Sequence, residues 1–178
     1  MIPNPAFLVI TASGEDKVGL VDRFSSQVTN SGCNIEESRM AVLGGSFALV
    51  VLISGESGNI SALEQSLPSL GESLGLTLIA RRTQMRHPQT TLPYEVEVVA
   101  LDHPGIVKNL SSFFAQRSIN IEELTTDTYP APHTGSPMFA VHMTVGVPPQ
   151  SSIAGLKEEF SLFCDSLNLD GSLEARRS

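Results

Sequence analysis

Two short segments of the sequence place an aspartate three positions before a glycine, between an apolar run and a helical pattern. They are Asp16-Lys17-Val18-Gly19 and Asp102-His103-Pro104-Gly105. An aspartate at a helix start is a candidate N-cap, and a first-turn glycine exposes backbone N–H groups that lack a helical acceptor. Such N–H groups and the positive helix end suit an anion. The pattern indicates either a carboxylate-binding loop or a capped helix that packs closely on a sheet.

Polar residues also recur at the start of the strand that follows each of these helices. Asn34 and Asn120 begin these strands, and each amide could hydrogen-bond a ligand or satisfy the preceding turn. Two pairs of adjacent carboxylates follow, Glu36-Glu37 and Glu122-Glu123. Because neighbouring side chains on a strand point to opposite faces, we expect each pair to be split between the faces. Solvated charges or partner contacts are then expected, not an acid–base pair.

Other residue types that carry chemistry lack the required spacing. The histidines do not form a metal-binding pattern, and no serine lies in a Gly-x-Ser-x-Gly elbow. Cys33 and Cys164 are far apart and outside any CxxC motif, so neither a disulfide nor a structural zinc is indicated, and Cys33 is expected to be buried. His103 is interpreted as a residue of the second Asp-x-x-Gly loop. We predict no metal, no cofactor and no enzymatic activity.

The two Asp-x-x-Gly segments belong to an internal repeat. Residues 16–21 recur as residues 102–107, and Asn34-Ile35-Glu36-Glu37 recurs as Asn120-Ile121-Glu122-Glu123, both at an offset of 86 residues. A second apolar pattern recurs at an offset of 93, with Ile60 matched by Ile153. A repeat of this length predicts two copies of one structural unit.

Apolar periodicity predicts the elements of each copy. The first helices are predicted from Val21, Phe24 and Val28 and from Val107, Leu110 and Phe114. The second helices are predicted from Ile60, Leu63, Leu67, Leu70 and Leu74 and from Ile153, Leu156, Phe160, Phe163 and Leu167. Pro68 is expected to kink or split its helix. Strands are predicted at 7–11, 35–42, 47–53, 76–80, 94–100, 121–128, 139–145 and 169–175.

The resulting order, β-α-β-β-α-β in each copy, predicts an α+β fold of ferredoxin-like modules, each a four-stranded antiparallel sheet with two helices on one face. Gly44-Gly45 predicts a tight hairpin in the first copy, and residues 129–137 predict a long one in the second. A polar, proline-containing stretch at 83–93 reads as a linker. We therefore expect domains at 1–87 and 88–178.

Composition limits the classes of partner. The 178 residues carry a net charge of −8, and 41% of them are hydrophobic, which predicts a soluble, folded protein. The densest basic group, Arg81, Arg82 and Arg86, is too small to carry DNA binding, so we expect no direct contact with nucleic acid. The N-terminus lacks the basic start and long apolar run of a signal peptide. No membrane association and a cytoplasmic location are expected.

The βαββαβ repeat with Asp-Lys-Val-Gly-Leu-Val or Asp-His-Pro-Gly-Ile-Val after its first strand, followed by Asn-Ile, resembles the ACT regulatory domain. The resemblance covers nearly the whole chain. It implies that modules pair, side by side or face to face, and that an amino acid binds near the first loop and first helix. The implied ligand-binding residues are Asp16, Gly19, Leu20, Asn34, Ile35, Asp102, His103, Gly105, Ile106, Asn120 and Ile121.

Two ACT modules without a catalytic domain are similar to bacterial transcriptional regulators of this family. The similarity implies a repressor that binds a DNA-binding activator protein and that glycine releases, so that genes for glycine breakdown are expressed; a homodimer is possible. The alternative is a regulatory subunit of an amino-acid metabolic enzyme. The copies also differ: Val18 stands where the second copy has Pro104, and Ser118 stands where the first has Gly32. The two loops are therefore expected to differ in binding.

Overall fold

The computed structural model describes residues 5–85 and 90–176. The chain divides into two compact units, Met1–His87 and Pro88–Ser178. The boundary predicted between residues 87 and 88 lies outside the described residues.

Both units have the same order of elements. The first contains β1 (Ala6–Glu15), α1 (Leu20–Asn30), β2 (Asn34–Leu43), β3 (Ser46–Gly55), α2 (Ser57–Leu74) and β4 (Leu76–Thr83). The second contains β5 (Leu92–Leu101), α3 (Ile106–Ala115), β6 (Asn120–Pro130), β7 (Pro137–Val147), α4 (Ile153–Ser166) and β8 (Asp170–Ala175). Each predicted strand is present, and most extend one to four residues beyond the predicted limits.

Each unit forms a four-stranded sheet, in the order β2-β3-β1-β4 or β6-β7-β5-β8. All the neighbouring strands are antiparallel. Alternate residues of the central strand, such as Leu8 and Ile10 in β1, are buried in one core with Phe24 of α1 and Leu63 of α2. Both helices thus cover one face of the sheet and leave the other open. The predicted α+β, ferredoxin-like fold is confirmed.

The apolar stripe of the first helix differs from the prediction at one position. Val21 is 47% exposed, whereas Leu20, Phe24 and Val28 are buried. The stripe runs i, i+4, i+8 because α1 begins at Leu20, so the first residue of the helix faces the sheet. In α3, Ile106 is likewise buried, and Val107 is only half-buried.

The proline and the hairpins also refine the predictions. The helix α2 runs without interruption from Ser57 to Leu74 through Pro68, so it is not split there. Because Pro68 is exposed, water can reach the carbonyl that loses its helical donor. Gly44 and Gly45, with φ of 56° and 79°, form the predicted two-residue turn. The longer loop of the second unit comprises only residues 131–136, because the strands extend to Pro130 and from Pro137.

Candidate functional site

The Asp-x-x-Gly loops lie between the first strand and first helix of each unit, and each is fixed to the neighbouring hairpin. The Asp16 N–H donates to the Gly45 carbonyl at 3.1 Å. The Asp102 N–H donates to the Pro137 carbonyl at 2.9 Å. In both units the aspartate therefore continues the strand's hydrogen bonding, and the remaining loop residues lead into the helix.

The glycines, not the aspartates, are the N-cap residues. Gly19 and Gly105 precede the helices with φ of 88° and 98°, and neither helix has a side-chain cap. The prediction that Asp16 and Asp102 cap the helices is therefore wrong. Both glycines occupy the left-handed region that an L side chain rarely adopts, and this explains their recurrence.

Close packing does not explain the glycines. A Cβ atom on Gly19 would meet nothing within 4 Å, and one on Gly105 would meet only the Asn109 side-chain nitrogen, at 3.9 Å. The space in front of each glycine is open. This removes the packing interpretation and leaves room for a small ligand beside the backbone.

The helix starts supply backbone donors. The first helical hydrogen bonds are from Arg23 N–H to the Gly19 carbonyl at 3.0 Å and from Asn109 N–H to the Gly105 carbonyl at 2.9 Å. The three N–H groups that precede each of these donors have no helical acceptor. Leu20 and Ile106 have buried side chains in the cores, so they can offer a ligand only backbone atoms.

The first helical turns differ in charge. The first unit has Asp22 in this turn, and the second has Lys108 at the equivalent position, 86 residues later. A carboxylate here already interacts with the positive helix end and repels a second anion, whereas a lysine adds positive charge. The repeat offset could have revealed this difference from the sequence, but neither Asp22 nor Lys108 was among the predicted site residues.

His103 lies in the second loop with its side chain exposed. Its Nδ1 atom is 3.1 Å from the Pro104 carbonyl oxygen. The imidazole is therefore held against the backbone of its own loop.

Asn34 and Ile35 lie at the opposite end of their sheet from the loop. Asn34 pairs with Ser54 of β3, which pairs with Phe7 near the start of β1, whereas the loop follows Glu15 at the end of β1. At about 3.3 Å per residue, this is a separation of about 25 Å. Asn120 and Ile121 are placed in the same way, because Asn120 pairs with Gly146, which pairs with Pro93. One module therefore does not bring the implied ligand-binding residues together.

A β-bulge at the start of β2 changes the expected orientation of the paired glutamates. The pairing of β2 with β3 shifts between Ile35 and Glu37, so Glu36 is the extra residue. The Glu36 carboxylate accepts hydrogen bonds from the Ser54 hydroxyl and, at 3.1 Å, from the Asn34 amide. Ser54 and Glu37 both lie on the open face, so the expectation that Glu36 and Glu37 point to opposite faces is wrong.

The second unit repeats this bulge with different partners. The shift occurs between Ile121 and Glu123 of β6. Gly146 replaces the serine, and a Cβ on it would lie 2.5 Å from the Glu122 Oε1 and 3.1 Å from the Thr91 hydroxyl oxygen. The missing side chain thus makes room for the Glu122 carboxylate. Both pairs of glutamates thus lie at a bulge near the start of an edge strand.

The Ser54 hydroxyl and the Asn34 amide both lower the pKa of Glu36, because each donates a hydrogen bond to the charged carboxylate. The effect of Ser54 is the larger. In Ser54→Ala we expect the pKa of Glu36 to rise toward its ordinary value of 4.5. This bond should therefore contribute to the stability of the bulge above pH 4.5, and the contribution should disappear as the pH falls through the lowered pKa. NMR titration of the Glu36 side-chain carbon in both proteins measures the shift. An unchanged midpoint would contradict the assigned bond.

The remaining candidates for chemistry are structural. Cys33 and Cys164 are buried, as predicted for Cys33, and burial raises the pKa of the Cys164 thiol to about 11. Among residues 5–85 and 90–176, no three His, Cys, Asp or Glu side chains are placed to hold a metal ion. Within the same residues, no helix has the length and apolar character needed to cross a membrane.

Comparison with known proteins gives consistent results for sequence and structure. The ACT domain family model matches residues 6–80. The glycine cleavage system transcriptional repressor of Escherichia coli is 34% identical over 169 residues, which cover 94% of this chain and 88% of that protein.

Two solved structures match the whole chain. One, described as a glycine cleavage system transcriptional repressor, has a TM-score of 0.73 at 34% identity and covers 98% of this chain and 99% of its own. The other, a protein of unknown function from Galdieria sulphuraria, has a TM-score of 0.78 at 33% identity and covers 98% and 100%.

Proposed function

Because the chain belongs to the family of ACT-domain proteins that includes the glycine cleavage system transcriptional repressor of Escherichia coli, we propose that it is a glycine-responsive repressor. A regulatory role follows from the family. The finer proposal is that the chain binds a DNA-binding activator protein and that glycine weakens this complex. For that to occur, glycine must bind the free regulator more tightly than the complex.

The observation that carries the ligand proposal is the open left-handed glycine at the start of α1 and α3. Gly19 and Gly105 leave unobstructed space beside backbone N–H groups that have no helical acceptor. An amino-acid carboxylate in that space would accept hydrogen bonds from the backbone and lie at the positive helix end. Glycine is proposed as the ligand because of the function for which the Escherichia coli relative is named.

The second module is the better site for a carboxylate. Lys108 adds positive charge to the first turn of α3, whereas Asp22 already occupies this position in α1. We therefore assign glycine binding to the loop of residues 102–105 and a structural role to the loop of residues 16–19. His103, an exposed residue of the same loop, is proposed to contact the ligand.

A homodimer would complete this site. Residues of β6 are exposed along most of its length, and it is an edge strand of its sheet, the kind of strand that can pair with another chain. If the β6 strands of two copies pair antiparallel, the start of one strand lies beside the end of the other, where the loop is. Asn120 and Ile121 of one copy would then lie near Asp102 and Gly105 of the second. This arrangement accounts for the distance between the implied ligand-binding residues within one module.

The proposed partner is a protein, not DNA. The net charge is −8, and of the small arginine group, Arg82 is occupied by an ion pair with Glu64 at 3.1 Å. An acidic protein would be repelled by phosphate, so an effect on transcription requires an intermediary that binds DNA itself.

Removal of the Lys108 charge tests the choice of module. We expect Lys108→Ala to weaken glycine binding by about three- to tenfold, as for one charge at a solvent-exposed distance of about 6 Å. Lys157→Ala, which removes a charge from α4, should have no effect. Isothermal titration with glycine measures both. Equal affinity in wild type and Lys108→Ala would argue against the second module as the binding site.

A further inference from the structure

The open face of the second sheet is strongly acidic. Its carboxylates come from all the strands except β7, and they are Glu95, Glu97, Glu123, Asp127, Asp170 and Glu174. Their cross-strand partners place them on one face, opposite the buried Val96 and Leu173. Like charges side by side on a sheet destabilise it, so a face of this composition requires an explanation other than folding.

The first sheet shows that the fold does not require Glu95, Glu97 or Glu174. Val9 and Thr11 occupy the positions equivalent to Glu95 and Glu97, because each pair is related by the repeat offset of 86. Arg81 occupies the position equivalent to Glu174, because it pairs with Val9 as Glu174 pairs with Glu95. At these three positions the first open face is apolar, polar or basic and the second is acidic, whereas Glu37 and Glu123 are acidic in both. The difference is confined to side chains that neither core uses.

A cavity of about 230 Å³ lies on the acidic face, between β5, β6 and β7. Glu95, Glu97, Glu123, Thr125, His142 and Thr144 line it. Thr144 is only 6% exposed, and it is one of the two buried polar residues among the described ones. Because it pairs with Glu95 and lies on the open face, its side chain forms the floor of this cavity. The equivalent residue in the first sheet is Leu52, which pairs with Val9.

Glu174 on this face is already paired with Lys157 of α4 at 2.6 Å, whereas the contacts of Glu95 and Glu97 are weaker. His142 Nδ1 is 3.8 Å from the Glu97 carboxylate, and Arg176 Nε is 3.7 Å from that of Glu95. Both contacts are longer than a hydrogen bond and are solvent-exposed, so each contributes little. Glu95 and Glu97 retain 51% and 64% of their side-chain exposure and remain accessible to a second cation.

We propose that the open face of the second sheet is the docking surface for a lysine- and arginine-rich protein surface, and that the cavity receives one arginine side chain. The carboxylates of Glu95 and Glu97 accept hydrogen bonds from the guanidinium group, and the Thr144 hydroxyl supplies a further acceptor at the cavity floor. This inference rests on the proposed function, because it gives the chemistry by which the partner is recognised. A DNA-binding protein presents a basic surface of this kind.

Fluorescence anisotropy with a labelled octa-arginine peptide tests the docking face. We expect wild type to bind with an affinity that decreases with salt, and Glu95→Gln/Glu97→Gln/Asp127→Asn to bind at least about tenfold more weakly. The matched control is Glu56→Gln/Glu72→Gln/Glu158→Gln, which removes the same number of exposed carboxylates from other surfaces. The control should change the affinity less than about twofold, since its effect is limited to net charge. Equal losses in the two triple variants would overturn the proposal.

The cavity has its own test in the same assay. Thr144→Val removes the hydroxyl and keeps the shape of the side chain, so it should weaken octa-arginine binding by about threefold. In NMR titration of the full chain with N-acetyl-arginine amide, shifts should be concentrated at β5, β6 and β7. Shifts spread over all the acidic surfaces would contradict specific binding of the guanidinium group in the cavity. Loss of self-association in the acidic-face variant, with peptide binding unchanged, would instead identify a contact between copies and overturn the proposal.

Glycine titration of the same variants separates this inference from the proposed function. None of the three substituted carboxylates belongs to the loop of residues 102–105, so the triple variant should bind glycine as wild type does. If glycine binding is normal and the acidic-face variant loses no more affinity for octa-arginine than the control does, the docking face alone is rejected. If only the acidic-face variant loses affinity for octa-arginine and the wild-type protein binds no amino acid, the docking face is supported and the glycine sensor is rejected.

Discussion

Gly105→Val is expected to abolish glycine binding while the protein remains folded. Gly105 has a φ of 98° and open space in front of it, so valine would fill the space proposed for the ligand and strain the backbone. A branched residue in this region costs about 1 to 3 kcal/mol, which a folded domain can tolerate. Isothermal titration with glycine and thermal unfolding together measure the two effects.

Gly44→Val is the matched control for backbone strain. Gly44 also has a positive φ, 56°, and a Cβ there would meet nothing within 4 Å, but it lies in the first unit's hairpin. We expect a similar loss of stability with unchanged glycine affinity. Gly19→Val should also bind glycine, because the first loop is assigned a structural role. Normal binding by Gly105→Val would show that the loop is not the ligand site.

Phe160→Ala is expected to destabilise the second unit by about 3 to 5 kcal/mol, the usual cost of removing a buried aromatic side chain. Phe160 is 1% exposed, and its ring lies 5.4 Å from that of Phe113 and 5.8 Å from that of Phe114. These contacts join α4 to the C-terminal end of α3. Urea unfolding monitored by amide hydrogen exchange in β5 and β7 measures the loss.

Leu162→Ala, on the same helix, is the control for helix propensity and apolar surface. Leu162 is 63% exposed, so its truncation should change the free energy of unfolding by less than about 0.5 kcal/mol. Equal effects of the two substitutions would mean that the ring cluster is not the core that stabilises α3 and α4.

The fold could be predicted because the duplicated sequence reports each element twice. The apolar spacing from Ile60 to Leu74 recurs from Ile153 to Leu167, so weak helical signals support each other. The errors occurred where a local pattern allowed two alignments. Val21 and Leu20 are both apolar, and only the point at which the helix begins on the sheet decides which one is buried.

The site was less predictable because it depends on geometry that spacing does not contain. The aspartates suggested helix caps, whereas Gly19 takes this position by adopting a positive φ. The β-bulge at Glu36 arises from an extra residue in a strand pairing, which the alternation rule cannot detect. The strand register places Asn34 at one end of the strands and the loop at the other, although both were assigned to one site.

Signals for the charged features were present in the sequence but required a comparison between the copies. Asp22 and Lys108 occupy equivalent positions, as do Val9 and Glu95. Each pair differs in charge where the fold is the same. Such differences cannot result from packing, and they are the positions at which the two modules are expected to have acquired different roles.

Isothermal titration of the wild-type chain with glycine is the most direct test of the central claim, followed by serine and the other small amino acids at physiological salt. We expect saturable glycine binding with one ligand per chain, lost in Gly105→Val and retained in Gly19→Val. Absence of heat for glycine and every other small amino acid would contradict an amino-acid sensor. Saturable binding of a different amino acid, with none of glycine, would contradict the proposed glycine response.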